Sequence, residues 1–304
     1  SQMGFSFYTK SGLKRYIERY YSLPDDEISM KFAKDRMGYI TDFRAENILK
    51  HRFHRLTGRP GDSSSQTDVQ YPLLRPQSGF EEMFRVIERS LSEYGCAISK
   101  NEKIVSLKKQ KNSYLVTTNK RSDEAFDLVL LAAPPQSIMD SFSVSNPCNS
   151  VESFSLLSLF LKGNVMINGD IFYNSSPYGK WKRMTVFNRL YDETSEFDRF
   201  TVEFVLDSNA PQTTIQEAFK DFVASSERLF ILDSSTKLCG GVYTENAYPK
   251  LTIVQEQDIQ CQQEFLTNSG IASIGRQGEY KYFTGNECVV SAVEKIQQAG
   301  GAKG

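Results

Sequence analysis

Residues 127–133, Asp127-Leu128-Val129-Leu130-Leu131-Ala132-Ala133, are apolar on both faces of an extended chain and run straight into Pro134-Pro135. A strand with one wet face alternates apolar and polar side chains, whereas a strand with no wet face lies in the middle of a sheet covered on both sides. The two prolines, which lack an N–H, end it.

A second buried strand is predicted near the far end of the chain, at residues 271–274. Gly275 and Gly278 follow it as a turn that permits φ > 0 or close backbone approach, and Thr284 to Glu287 sets up a helix start. A strand feeding a helix N-terminus presents free N–H groups and partial positive charge, a combination that favours phosphate. Arg276 is placed to add a bidentate contact.

Between these segments the pattern alternates. Residues 11–59 are helical in pattern, with Leu13, Tyr16, Ile17 and Tyr20 on one face and Pro24-Asp25-Asp26 opening a second helix. Residues 57–68, rich in Gly, Ser and Asp, predict a loop. Ser78 to Glu81 has the form of a capping box, and Phe80, Met83, Phe84, Ile87, Leu91 and Tyr94 recur at helical spacing until Gly95. Strands are expected at 103–107 and 114–118. The middle third, with strand-like runs at 154–161, 182–190, 199–206 and 237–244, predicts an antiparallel sheet. Helices are expected at 213–226, burying Ile215, Ala218, Phe219 and Phe222, and at 258–266.

The composition narrows the function classes. Lys and Arg total 36 against 37 Asp and Glu, a net charge of -1, so there is no global pull toward nucleic acid or an anionic membrane. No apolar run approaches the roughly 18 residues of a membrane span, and a cytoplasmic location is the expectation. Cys96, Cys148, Cys239, Cys261 and Cys288 are widely spaced without CxxC pairs, which predicts reduced, buried structural thiols.

Three segments, taken in order, carry a family resemblance. The first is Tyr71-Pro72-Leu73-Leu74-Arg75-Pro76-Gln77-Ser78-Gly79-Phe80, its helix, the strand pair and residues 127–135. The second is Ala247-Tyr248-Pro249, and the third is Gly275-Arg276-Gln277-Gly278-Glu279-Tyr280-Lys281-Tyr282. Together they resemble the C-terminal two thirds of the flavin-dependent amine oxidase superfamily, in the branch of UDP-galactopyranose mutase and its protoporphyrinogen-oxidase-like relatives. The resemblance implies an α/β, FAD/NAD(P)-binding-like architecture with an incomplete dinucleotide-binding lobe and FAD as cofactor. By it, Val105 lies near the adenosine, while Gly275, Arg276, Gly278, Tyr282 and the helix start at Asn286 lie near the flavin and its pyrophosphate. Arg183, Tyr248 and Tyr280 face a small-molecule substrate, in the mutase-like case a nucleotide sugar. It also implies a discontinuous cofactor-type lobe, residues 72–140 with 268–298, and a mixed, largely antiparallel substrate-type lobe, residues 3–71 with 141–267.

One departure from that pattern matters. A dinucleotide-binding unit carries GxGxxG after a strand and an acidic residue about 20 positions on. Here the glycines before residue 57 are Gly4, Gly12 and Gly38, none in a G-x-G context. Three explanations stand open: a fragment, a chain whose partner supplies the missing unit, or a protein that kept the architecture and lost the cofactor. The expected function is an FAD-dependent oxidoreductase or a flavin-using nucleotide-sugar mutase, present as an incomplete unit. The alternative is a non-catalytic binding or partner subunit.

Other constellations have simpler readings. His51 and His54 lack metal ligands at a recognisable spacing, and no other His exists to build a hydrolytic triad. Asp25-Asp26-Glu27 suits an acidic first helical turn. Lys108, Lys109, Lys111, Lys120 and Arg121 suit solvated hairpin turns. Lys180-Trp181-Lys182-Arg183 suits either a hairpin turn anchored by the only Trp or a diphosphate clamp.

Overall fold

The structure, a computed structural model, describes residues 5–21, 23–29, 76, 78–139, 141, 148–191, 193–207 and 213–301. Helix α1 (Phe5–Lys10) leads through Gly12 into α2 (Leu13–Tyr21), where Tyr20 and Tyr21 are buried and Tyr16 and Ile17 pack beside them as the spacing predicts. Pro24 does not open a second helix. Residues 25–27 form a turn, Asp25 accepts from Lys14 Nζ at 2.8 Å, and Ile28 bridges antiparallel to Thr252, so side-chain and sheet contacts claim the groups a helix would use. His51, His54 and the 57–68 loop lie outside the described residues.

Helix α3 (Phe80–Glu93) has the expected periodicity, and Gly95 closes it at φ 80. The capping box at Ser78 does not form: the helix begins after Gly79, at φ 86, with no side-chain cap. No residue of α3 is buried. The strand pair follows as β1 (Ile104–Lys109), β2 (Tyr114–Thr118) and β3 (Glu124–Phe126), an antiparallel meander with its basic turns exposed. Of the run 127–133 only β4 (Leu130–Leu131) is a strand, parallel to a partner at Ala272 and Ser273 in a sheet of two. The expectation of a central strand covered on both sides is therefore corrected: Leu128, Ala132 and Ala133 are exposed, because no third described strand pairs with this sheet. Helix α4 (Gln136–Met139) turns the chain back after the prolines.

The middle third builds the larger core. β5 (Ser153–Gly163), β6 (Ile171–Tyr173), β7 (Arg183–Val186), the short α5 (Phe187–Leu190), β8 (Asp198–Asp207), α6 (Ile215–Arg228) and β9 (Lys237–Pro249) give an antiparallel sheet in the order β6-β7-β8-β5-β9. Leu157, Leu159 and Leu161 alternate with outward residues along β5, and their face receives Ala218 and Phe222 of α6. Thr214 caps α6 in a capping box with Glu217. Trp181 is 2% exposed, meets Phe222 edge-on at 5.6 Å and donates Nε1–H to Ser225 Oγ at 3.0 Å, so the anchoring role holds for this residue.

Helix α7 (Gln255–Asn268) then delivers β10 (Ala272–Ser273), the partner of β4, followed by the single turn α8 (Gly275–Gly278) and the long α9 (Gly285–Gly301). Leu266 and Ile271 join Leu107, Val116, Leu131 and Ile138 in the smaller core. The cysteine expectation is corrected here. Cys148 is disulfide-bonded to Cys261, joining the segment before β5 to α7, and Cys96 and Cys239 are exposed rather than buried. No described helix is long and apolar enough to cross a membrane.

Candidate functional site

The last turn of β9 departs from regular pairing. Phe154 pairs with Tyr248 and Leu156 with Thr244, so Glu245, Asn246 and Ala247 stand opposite the single residue Ser155. A bulge of this kind turns side chains out of the sheet plane, and Asn246 takes φ 49 within it. The three bulged residues line a cavity of about 640 Å³ whose opposite wall comes from Arg276, Gln277 and Tyr280, with Pro134 and Gln136 also contributing.

That opposite wall is shaped by backbone geometry. Gly275 has φ 68, which only glycine adopts without strain, and Tyr280 has φ 51. At Gly278 an added Cβ would fall 2.2 Å from the Leu131 carbonyl oxygen, so α8 sits directly on β4. Gln277 Nε2 donates to Ala247 O at 3.0 Å and holds α8 to the bulge. Tyr280 OH donates to Gln262 Oε1 at 3.1 Å, and Gln262, fully buried, donates in turn to Gln136 Oε1 at 3.0 Å and Asn149 O at 2.7 Å. The predicted order of strand, glycine-bracketed turn and helix holds: residues 275–278 form a single turn after β10, and α9 starts at Gly285, where the Thr284 and Glu287 side chains each accept from the other's backbone N–H; no α9 residue lines the cavity.

Beside the cavity, cations and tyrosine rings interleave. The Arg276 guanidinium lies 3.9 Å over the Tyr282 ring and 4.8 Å over Tyr248, whose rings stack 6.1 Å apart. Lys182, 1% exposed, places Nζ 3.9 Å over Tyr20, 5.2 Å over Tyr248 and 3.7 Å from Glu203. Tyr20 OH and Tyr282 OH are 3.1 Å apart, closing α2 onto the same cluster. Arg183 bonds Glu203 as well. Lys182 and Arg183 thus share one carboxylate, and Nη2 of Arg276 is buried with no hydrogen-bond partner. A buried guanidinium nitrogen without a partner is suited to an added acceptor.

Protonation follows from this packing. Burial opposes the charge on Arg183, but the adjacent Glu203 carboxylate outweighs it and raises its pKa. Burial pushes the Tyr248 phenol up, with Tyr282 adding to the shift and Arg276 opposing it. Burial takes Tyr280 to about 12. Both phenols therefore stay neutral through physiological pH.

Of the residues singled out from the sequence, Arg276, Tyr248 and Tyr280 line the cavity, while Gly275 and Gly278 shape the turn that holds them. Tyr282 stacks behind, and Arg183 reaches the cluster through Glu203. Val105, 57% exposed on β1, and Asn286, exposed in the first turn of α9, lie outside the cavity. Sequence reasoning missed Tyr20, Glu203 and Gln262. A buried polar pattern marks none of them, and Tyr20 was legible only as a core position of α2.

No protein-family model and no curated protein sequence matches the chain. Solved structures do. Reduced UDP-galactopyranose mutase aligns with a TM-score of 0.74 at 15% identity, over 99% of this chain and 66% of the mutase chain. A putative protoporphyrinogen oxidase from Exiguobacterium sp. 255-15 aligns with a TM-score of 0.53 at 15% identity, over 73% of this chain and 51% of its own. An oxidoreductase from Methanosarcina mazei gives 0.51 at 9% identity, over 73% and 54%. The chain thus spans 66% or less of the length of each of these three proteins. At such identities the likeness establishes the fold alone, a mixed α/β architecture shared with these proteins.

Proposed function

We propose that the chain forms the substrate-binding and flavin-facing part of an FAD-dependent oxidoreductase or a flavin-using mutase of nucleotide sugars. The observation that carries this reading is the buried Arg276 Nη2, without a hydrogen-bond partner at the edge of a cavity between the β9 bulge and the α8 turn. In this reading residues 72–140 and 268–298 make the cofactor-type lobe, and residues 3–71 and 141–267 the substrate-type lobe.

The residues fit the flavin end of FAD and not its adenosine diphosphate end. Gly275, Arg276, Gly278 and Tyr282 offer a cation, a close-approach backbone and an aromatic wall, whereas no two glycines anywhere in the chain stand two apart, so no G-x-G turn is available for the pyrophosphate. When bound, a flavin supplies the redox or nucleophilic centre itself. This chain's side chains bind and orient. Arg276 takes an anionic group on the substrate or cofactor, and Lys182 and Arg183, neutralised in part by Glu203, set a positive field around the stacked tyrosines. Tyr248 and Tyr282 exclude water from one side, and Tyr280 keeps its proton and its bond to Gln262.

The test is a thermal-shift titration of the purified chain with UDP-galactose, UDP and FAD. A diphosphate-bearing ligand should raise the melting temperature, and Arg276→Ala and Arg183→Ala should each reduce the rise. If none of the three ligands moves the midpoint, the reading fails.

A further inference from the structure

We infer that the chain pairs with a second copy of itself along the outer edge of β9, antiparallel about a two-fold axis at Gly241, so that Lys237 of each copy meets Glu245 of the other. The inference is independent of the function proposed above, although Glu245 lines the same cavity.

The edge itself is the first observation. β9 closes the five-stranded sheet, pairs with β5 on one side and has no strand partner on the other among the described residues. Folded proteins blunt such edges with charge, proline or brevity, because a row of bare N–H and C=O groups templates another strand. From Leu238 to Thr244 the strand carries neither a charge nor a proline. Val242 and Tyr243 are 46% and 37% exposed, and Gly240 and Gly241 leave the centre of the stretch without side chains, which lets another backbone approach closely. Ile215 of α6 covers Gly241, where an added Cβ would meet it at 3.2 Å. The proposed axis sets Ile215 of the two copies on one face of the joined sheet.

The charges choose the occupant. Lys162 stands directly opposite Lys237 across the β5–β9 pair and opposite Arg199 across the β5–β8 pair, a row of three cations. Arg199 is bonded to Glu193 at one end of the row. Lys162, Lys237 and Glu245 are exposed and make no ion pair with another described residue. Like charges directly opposite on neighbouring strands destabilise a sheet, and opposite charges stabilise it. A carboxylate beyond Lys237 therefore completes the row.

A second copy supplies that carboxylate in one register. Contacts across a two-fold axis are reciprocal, residue i meeting j and j meeting i. With Gly241 on the axis, Gly240 faces Val242, Cys239 faces Tyr243 and Lys237 faces Glu245, each twice. Moving the axis to Gly240 or to Val242 sets Glu245 against Ser235 or Cys239 and leaves both charges single. The register shifts at Cys239 and at residues 245–247 confine the regular ladder to residues 240–244, and the long Lys and Glu side chains reach across them, as diagonal neighbours in a sheet do. Lys237 of the second copy then lies beside a carboxylate that lines the cavity.

Sedimentation velocity of the full chain over a dilution series tests the pairing. The wild-type chain should form a dimer. Lys237→Glu and Glu245→Lys should each weaken it by more than about tenfold, since each sets like charges opposite at both ends, and the double variant should recover it. Circular dichroism melts of the same variants separate a lost contact from a lost fold. A second measurement uses Tyr243→Cys, whose new thiol stands opposite Cys239 of the other copy at the ~4.5–5.5 Å Cα spacing of facing residues, within the span of a disulfide. Oxidised glutathione takes up the two electrons and two protons as the S–S bond forms, and peptide mapping should find residue 239 joined to residue 243 between chains. A monomeric wild-type chain, a dimer indifferent to both charge reversals, a double variant that stays monomeric while folded, or the absence of the 239–243 link each overturns the inference.

Discussion

The guanidinium of Arg276 lies 3.9 Å from the centre of the Tyr282 ring, in a layer that only a planar cation fills well. Arg276→Lys keeps the charge and loses the stacking plane. It should lower the unfolding free energy in urea by ~1 kcal/mol, the usual scale of a partly desolvated cation–π contact, and remove most of any UDP-induced thermal shift. An unchanged urea midpoint would mean that the stack contributes nothing.

Gly278 is the point where α8 touches β4. Its absent side chain is what permits the contact, since a Cβ would sit 2.2 Å from a backbone oxygen that cannot move aside cheaply. Gly278→Ala should cost about 2 kcal/mol or more, in the range of overpacked sites, whereas Gly285→Ala, with nothing within 4 Å, should leave stability equal or slightly higher. Thermal melts of the pair settle it. Equal melting temperatures would show that the turn yields.

The two variants also mark the limits of what the sequence discloses. The five-stranded sheet and α6 were legible because strand-like runs such as 154–161 and 199–206 alternate with polar turns and Ile215, Ala218, Phe219 and Phe222 lie on one face of the helix. The box at Ser78 was not, because the backbone turns left-handed at Gly79 and moves the helix start past it. Run 127–133 was read rightly as strand-forming, yet only two of its residues pair, since ladder length depends on neighbours and not on the run itself. At the site, Arg276, Tyr248 and Tyr280 could be named from motif order. Tyr20 and Lys182 could not be joined, because packing across the whole chain brings them to 3.9 Å and no local spacing encodes it.

Tyr280 gives a pH signature. Burial raises its pKa from 10.0 to about 12, so the folded state holds the proton more tightly than the unfolded chain. The sign follows: its contribution is complete below pH 10 and is lost as pH rises toward about 12. Tyr280→Phe removes the phenol and should flatten that alkaline loss by ~1–2 kcal/mol, given 1.36 kcal/mol per unit and partial solvation. Urea denaturation at stepped alkaline pH measures it, and parallel curves for the two proteins would refute the assignment.

The bond between Cys148 and Cys261 closes a loop of 113 residues around the whole five-stranded sheet. Loop-closure entropy gives such a link a ceiling of ~5 kcal/mol, with 2–4 kcal/mol more usual. Gln262, next along α7, bonds Asn149 O and Tyr280 OH, so the same segment positions the cavity wall. Dithiothreitol should therefore lower the melting temperature of the wild-type chain, and Cys261→Ser should start lower and show no further response to reductant. Equal melting temperatures with and without reductant, for a chain shown by intact mass to be oxidised, would mean that the link carries no stability.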